Sequence, residues 1–479
     1  MPRWVLGALI GALVAPLFPG LSAAAPSLPR LETGPCPAAL GADFHCGTLI
    51  TTEHPAPHPG RVLHLPFAVH HAGTEPTPTA LTFLNGGPGL SAMRIAPLVT
   101  GQLSGLPEDI VFLERRGLGL AKPAFTCPPG VRLGAGRWNL KGALACRDHW
   151  RALGFDLDAY DSAAAAADLE ALRRLLGYRQ WDLYGISYGT AYAISAMRDF
   201  PRSVRSALLD SVYPYQLDPF RDNVAKHFAK FDKIFTDCAA DIACSAAFPD
   251  LHSQLINAIA RASTTPLATP RGPLDGARLL ARLAHDLEET DLLPRIPALV
   301  AAAARGDGDT LDRLDDARDP SLRPAAGFPA RARADAVWPM VECRERFSRH
   351  HGATQPVTGW PEWLVSSLDV EWGPGEAALC RAWKARPAPA GIDRRLAGRI
   401  PTLILVGADD PQTTPVWAAH AVAMMPPGAA QVAVVPNVSH VTTVSACGRA
   451  LAMAFLADPG APIDRGCLTG APKLAFVTP

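Results

Sequence analysis

The chain has 479 residues, 48% of them hydrophobic and 19% charged, with Lys+Arg and Asp+Glu equal at 45 each. That hydrophobicity excludes a disordered chain, and a formal net charge of zero leaves no basic footprint for nucleic acid. No fixed repeat period appears, which excludes solenoid and collagen-like architectures. Seven of the 45 cations are Lys, so positive charge is carried almost wholly by Arg.

Residues 1–25 place Arg3 before an apolar run from Trp4 to Leu21, followed by Ser22, Ala23, Ala24 and Ala25. This order predicts a secretory signal peptide over residues 1–24. Pro16 and Pro19 interrupt the run, and no later stretch of about 20 apolar residues follows. A chain without stable membrane insertion after cleavage, secreted or periplasmic, is expected. The stretch Arg30–Pro59 is Pro-rich and reads as a loop pinned by Cys36 and Cys46.

Ten cysteines behind an export signal predict disulfides. Spacing does not fix connectivity. They nevertheless fall into five neighbouring pairs: Cys36–Cys46, Cys127–Cys146, Cys238–Cys244, Cys343–Cys380 and Cys447–Cys467. There is no C-x-x-C and no Cys/His ligand spacing, so no metal is expected. No P-loop or dinucleotide fingerprint is present, so no cofactor is expected either.

Short apolar segments at Ala80–Leu84, Ile110–Leu113, Trp181–Tyr184, Val204–Leu209, Pro401–Val406 and Gln431–Val435 read as buried strands. Between them lie helical patterns such as Ala163–Leu176, ended by Gly177, and Tyr188–Met197. The alternation predicts a doubly wound, mostly parallel α/β sheet. The rhythm breaks after Pro214. Residues 215–396 read as helices, among them Asp222–Thr236, Leu274–Glu289 and Ile296–Gly306, joined by Pro-rich loops. The expected organisation is a core over 25–214 and 397–479, with a helical cap inserted at 215–396.

Trp181 to Thr190 reads strand, Gly185-Ile-Ser187-Tyr-Gly189, helix, the pattern of a nucleophile elbow. The helix N-terminus and the Tyr188 N–H favour an oxyanion there. A serine needs a base, and in such sheets the order is Ser, acid, His. Gly407-Ala-Asp409-Asp410-Pro411 follows one later strand and Ser439-His440 the next. His440 is the expected base; the acid is Asp409 or Asp410, with Asp410 favoured and Asp409 then a turn-capping residue. Glycines in Asn85-Gly86-Gly87-Pro88-Gly89 let N–H groups approach a substrate oxygen. Gly87 is the first candidate for the second oxyanion donor and Gly86 the second. A His base predicts that activity rises with pH through about 6–7.

At these residues the chain resembles the prolyl aminopeptidase/tripeptidyl aminopeptidase family of α/β-hydrolase serine peptidases. Asn85–Gly89 is similar to its oxyanion loop. Glu114-Arg-Arg-Gly117-Leu-Gly119 resembles its D-x-R-G-x-G segment, Gly185–Thr190 its G-x-S-Y-G-T elbow, and Gly407–Thr413 its G-x-x-D-P-x-T acid loop, which favours Asp410. Cys238–Cys244 with Phe248–Leu251, Val341–Glu345 and Cys380–Trp383 resemble cap segments of the secreted subgroup. The resemblance implies that an acid in the cap binds the substrate's amino group, and Glu345 is the matching residue. Asn85 stands where His is common, Glu114 where Asp is usual, and Ser439-His440-Val441 replaces G-H-G.

The expected function is a secreted serine hydrolase, an exo-aminopeptidase that removes N-terminal residues or short peptides through an acyl-enzyme. An exported carboxylesterase with the same triad is the alternative. Its partner is a peptide or small ester.

Overall fold

The computed structural model describes residues 27–73, 77–128, 131, 139–316, 336–349, 354–369 and 374–479. The expected signal peptide lies outside them. The segments β1 (Arg30–Gly34), β2 (Phe44–Thr52), β3 (Val62–His70), β4 (Thr79–Leu84), β5 (Asp109–Leu113), β6 (Gln180–Ile186), β7 (Val204–Asp210), β8 (Thr402–Gly407) and β9 (Ala430–Val435) build a nine-stranded sheet. Their spatial order is β1-β2-β3-β5-β4-β6-β7-β8-β9. Every residue of β4, β5 and β8 is buried, as befits strands covered on both faces. From β5 to β9 the sheet is parallel, and β1, β2, β3 and β5 pair antiparallel.

The stretch Arg30–Pro59 is not the loop that its prolines suggest. Pro35, Pro37, Pro55, Pro57 and Pro59 bracket β2 and do not interrupt it. β2 pairs with β3 over nine residues, with Leu49 and Ile50 buried. β3 carries an internal Pro66, which reads as a strand breaker, and its first four residues alternate exposed and buried. Such half-exposed strands carry a weaker apolar run than the parallel ones.

Between β6 and β7 the chain forms the helix Tyr188–Asp199, and before β6 the helix Ser162–Leu176. Asp161 caps the latter by accepting from Ala164 N at 2.9 Å, and Gly177 ends it at φ 85°. The chain goes from β4 to β5 on one side, then crosses to β6 on the other side of β4. That reversal puts the loops after β4 and β6 side by side, where ligands enter open α/β sheets.

Helices fill the stretch between β7 and β8, beginning with Pro219–Ala240. Asp218 caps it and Val224, Phe228, Phe231 and Phe235 form its buried stripe. With Leu255, Ile259, Leu283 and Leu299 these make an apolar core separate from the two that sandwich the sheet. Each such side chain stabilises by roughly 1.5–3 kcal/mol on burial. The inserted run does not act as one body. The helices Val337–Glu342 and Pro374–Trp383 send Val337, Met340, Leu379 and Trp383 into the core under the sheet. Trp360, Leu364 and Leu368, which lie between them in sequence, join the cap core.

All five cysteine pairs are disulfides with the expected partners. Among the described residues no helix is long and apolar enough to cross a membrane.

Candidate active site

Ser187 sits between β6 and the helix Tyr188–Asp199 at φ 52°, ψ −128°. A side chain at positive φ is strained and persists only where its surroundings enforce it. The enforcement is close packing. A Cβ at residue 189 would stand 1.9 Å from the Leu84 carbonyl oxygen, so the helix can start against the end of β4 only with glycine there. Ser187 N donates to the Asp210 carbonyl at 2.9 Å, and Thr190 Oγ1 donates to the Ser187 carbonyl at 2.6 Å. Among the described residues the Ser187 hydroxyl makes no hydrogen bond.

The loop Asn85–Gly89 lies against this turn. A Cβ at residue 86 would come within 2.9 Å of Ser187 Cβ. The Gly86 N–H is spent on Asn85 Oδ1 at 2.8 Å. The Gly87 amide and the Tyr188 amide donate to nothing among the described residues. Of the two glycines, Gly87 therefore has the amide available to an incoming oxygen. The loop is held from beneath. Asn85 Nδ2 donates to the Ser91 carbonyl at 2.9 Å, Ser91 Oγ to Glu114 Oε2 at 2.6 Å, and Arg115 Nη1 to the Pro88 carbonyl at 2.9 Å. Burial pushes the Glu114 carboxyl up to about 7, against the lowering by Ser91 and the Met93 backbone, and among the described residues Oε1 has no partner.

Asp410 Oδ2 and His440 Nδ1 are 2.8 Å apart. Asp410 also accepts from Gln412 N at 2.7 Å, Thr413 N at 2.9 Å and Thr413 Oγ1 at 2.6 Å. Burial alone would raise its pKa, but His440 and these donors hold it at about 2. Burial would conversely lower the pKa of His440, and the Asp410 carboxylate, with Glu288 and Asp210 behind it, lifts it to about 9. Asp409 points away from the imidazole: its Oδ1 lies 2.9 Å from Lys230 Nζ.

Several residues of the site went unread in the sequence. Asp210, at the end of β7, accepts the backbone N–H and the hydroxyl of both Thr442 and Thr443 at 2.8–3.0 Å. It fixes the histidine loop, and Ser211 Oγ adds a contact to Val441 N at 2.8 Å. Of the six described non-glycine residues at positive φ, four, Ser187, Ser211, Asn437 and Val441, lie at these strand ends. A strand-terminal Asp was the available signal.

Glu345 does not present a free carboxylate to a cleft. It is fully buried on the turn Cys343–Phe347, with Oε1 accepting from Ser162 N at 2.6 Å and Oε2 from Ser162 Oγ at 3.0 Å. Ser162 Oγ in turn hydrogen-bonds the Tyr188 hydroxyl at 2.6 Å. Burial, then the neighbouring Asp161 charge, push the Glu345 carboxyl up to about 7. Glu342, one turn earlier, accepts from the Tyr213 hydroxyl at 3.1 Å and lies 3.3 Å from Arg346 Nε.

Residues 368–467, which carry β8, the acid loop, β9 and the histidine loop, match the family described as TAP-like protein. The putative hydrolase YuaR of Escherichia coli is 26% identical over 214 residues, 40% of this chain and 41% of that protein. The serine protease Hip1 of Mycobacterium tuberculosis is 23% identical over 366 residues, 68% of this chain and 69% of that protein. The tripeptidyl aminopeptidase of Streptomyces lividans is 24% identical over 349 residues, 62% of this chain and 63% of that protein. The matches thus span from about two fifths to about two thirds of the relatives' lengths. Sheet order, serine turn and matched segment together make the chain an α/β-hydrolase-fold protein of the serine type, whose residues 368–467 are similar to the TAP-like family.

Proposed function

We propose that this protein is an exported serine hydrolase that removes N-terminal residues or short peptides from peptide substrates. The observation that carries the reading is the 2.8 Å Asp410–His440 contact on loops that follow the strained Ser187 turn in chain order. Ser187 Oγ attacks the substrate carbonyl and His440 Nε2 takes its proton. Asp410 keeps the proton on Nδ1 and stabilises the imidazolium. The amides of Gly87 and Tyr188 hold the oxyanion. His440 then protonates the leaving amine, and water, deprotonated by the same imidazole, releases the acyl group from Ser187. Similarity to a tripeptidyl aminopeptidase supports the exopeptidase reading, and five disulfides support a secreted or periplasmic location.

The commitment of both Glu345 oxygens to Ser162 favours a second reading, a carboxylesterase with the same machinery, because it removes the expected acceptor for a substrate amine. A panel of chromogenic substrates separates the two. Faster hydrolysis of free-amine peptides than of their acetylated counterparts is expected. Equal rates on free and acetylated peptides, below those on simple esters, would establish the esterase.

A further inference from the structure

Three of the chain's seven lysines, Lys226, Lys230 and Lys233, stand on the helix Pro219–Ala240. Spacings of four and three residues put them on one helical face. That face meets the acid loop. Lys230 Nζ lies 2.9 Å and Lys233 Nζ 3.2 Å from Asp409 Oδ1. Lys226 Nζ donates to the Gln412 carbonyl at 2.6 Å and stands 3.7 Å from the centre of the Trp417 ring. The ammonium groups thus hold the residue just before Asp410 and the residue two beyond it. Asp409 is 2% and Lys230 8% exposed, so this pair is not a water-screened surface contact. Removing Asp409 would leave Lys230 buried without its carboxylate, and removing Lys230 would leave the buried Asp409 held by the half-exposed Lys233 alone.

The histidine loop is gripped by the same helical body. His440 N donates to the Glu288 carbonyl at 3.1 Å, Ser439 N to Thr290 Oγ1 at 3.0 Å, and Ser439 Oγ to the Leu287 carbonyl at 2.5 Å. Asp410 lies three residues beyond the end of β8 and His440 five beyond the end of β9. The sheet alone therefore does not fix their alignment, and the cap contacts bear on both loops.

We infer that Lys230, assisted by Lys226 and Lys233, is a positioning residue: its clamp on Asp409 sets the alignment of Asp410 with His440. The inference rests on the triad reading above. The groups that face His440 are Asp410 and Thr413 on the acid loop, Asp210 at the end of β7, and Glu288, which is itself paired with His227 and His285. Those that face the clamp are Asp410, whose charge acts on both Lys226 and Lys230, then Asp222, Glu288 and Glu376 around Lys226, and Asp237, which shares Lys233.

Two effects of losing Lys230 have opposite signs. Removing a cation from this surrounding favours the imidazolium and moves the His440 titration up. Loosening the Asp410–His440 contact moves it down.

The experiment uses the full chain with Lys230→Met, Lys230→Arg and Asp409→Asn, and Ser187→Ala as reference. Turnover of a small acyl ester is measured against pH. Independently of activity, the His440 titration is followed through its downfield Nδ1–H proton signal. For Lys230→Met we expect kcat to fall roughly 10–100-fold with KM within about twofold, since a small misplacement at the site has that scale. The His440 titration should drop by about one pH unit or more, and Lys230→Arg should restore most of both. If Lys230→Met does not fold, Asp409→Asn breaks the same clamp from the acid loop; losing an anion moves the titration down by itself, so there the deciding result is a fall in kcat at unchanged KM, and an unchanged kcat would overturn the inference. A lower melting temperature with kcat and titration unchanged would overturn the inference, as would an upward titration shift with kcat unchanged. Wild-type turnover in Ser187→Ala would instead remove the triad reading, while the proton signal still reports on the clamp.

Discussion

At the scale of single residues the proposed chemistry turns on Ser187 and His440. Ser187→Ala changes one hydroxyl and leaves the enforced turn in place. We expect kcat to fall roughly 10³–10⁶-fold while the melting temperature is kept. A fluorophosphonate probe should label the native protein and not the variant. His440 must be neutral to accept the serine proton, and Asp410 holds it protonated up to about 9. The structure therefore moves the expected acidic limb of kcat/KM upward from the ordinary imidazole range: activity should still be rising between pH 7 and 9. Asp410→Asn removes the main raising influence, so its limb should fall back to lower pH while its kcat drops. A wild-type profile already flat above pH 7 would contradict this. Glu345 makes a third case. Both its oxygens engage Ser162, and through the Ser162 hydroxyl it reaches Tyr188. Glu345→Gln should lower peptidase and esterase rates by the same factor, and a selective loss on free-amine substrates would restore its recognition role.

At the scale of elements, the loop Asn85–Gly89 shows how a buried charge can serve a site at a cost to stability. Glu114 is fully buried beneath the loop and its carboxyl is pushed up to about 7. Between the ordinary carboxyl range and that value the folded chain keeps a proton that the unfolded chain releases. Its contribution is therefore fully present at low pH and is lost as pH rises through about 7, by about 3 kcal/mol in all. Glu114→Gln keeps the size of the side chain and an acceptor for Ser91. Thermal melts should show a smaller drop in melting temperature from pH 5 to 8 in the variant than in the wild type. An unchanged drop would assign the pH dependence to other groups.

At the scale of the whole molecule, the cap has an apolar core of its own, yet it is tied to the catalytic loops at several points. The C-terminal segment adds a strap. Pro472 O accepts from Asn437 Nδ2 at 2.5 Å, Val477 N donates to the Pro294 carbonyl at 3.0 Å, and Leu474 and Phe476 pack on the cap core. Five disulfides close short loops within the cap, the core and the C-terminal segment, and none of the ten cysteines is free. Unreduced protein treated with an alkylating agent should show no modified cysteine by mass spectrometry. Two or more modified cysteines would break the pairing.

What is coded locally can be read along the chain. Buried parallel strands are continuous apolar runs, so six of the nine strands were legible, and so were the strand–turn–helix around Ser187 and the cysteine pairs, whose partners are at most 37 residues apart. Choices between polar partners distant along the chain are settled by packing instead. Residues alone left Asp409 and Asp410 open and resemblance favoured Asp410; the fold turns Asp410 to His440, 30 residues on, and Asp409 to Lys230, 179 residues back. Glu345 finds Ser162 across 183 residues and becomes a strut, and Asp210 finds Thr442 across 232. A buried carboxylate must be paired, but no local pattern states with whom, because its partner is set by which elements pack together. The half-exposed strands β1 to β3 and the split packing of the helical insertion escaped for the same reason: their burial is a property of neighbours and not of their own residues.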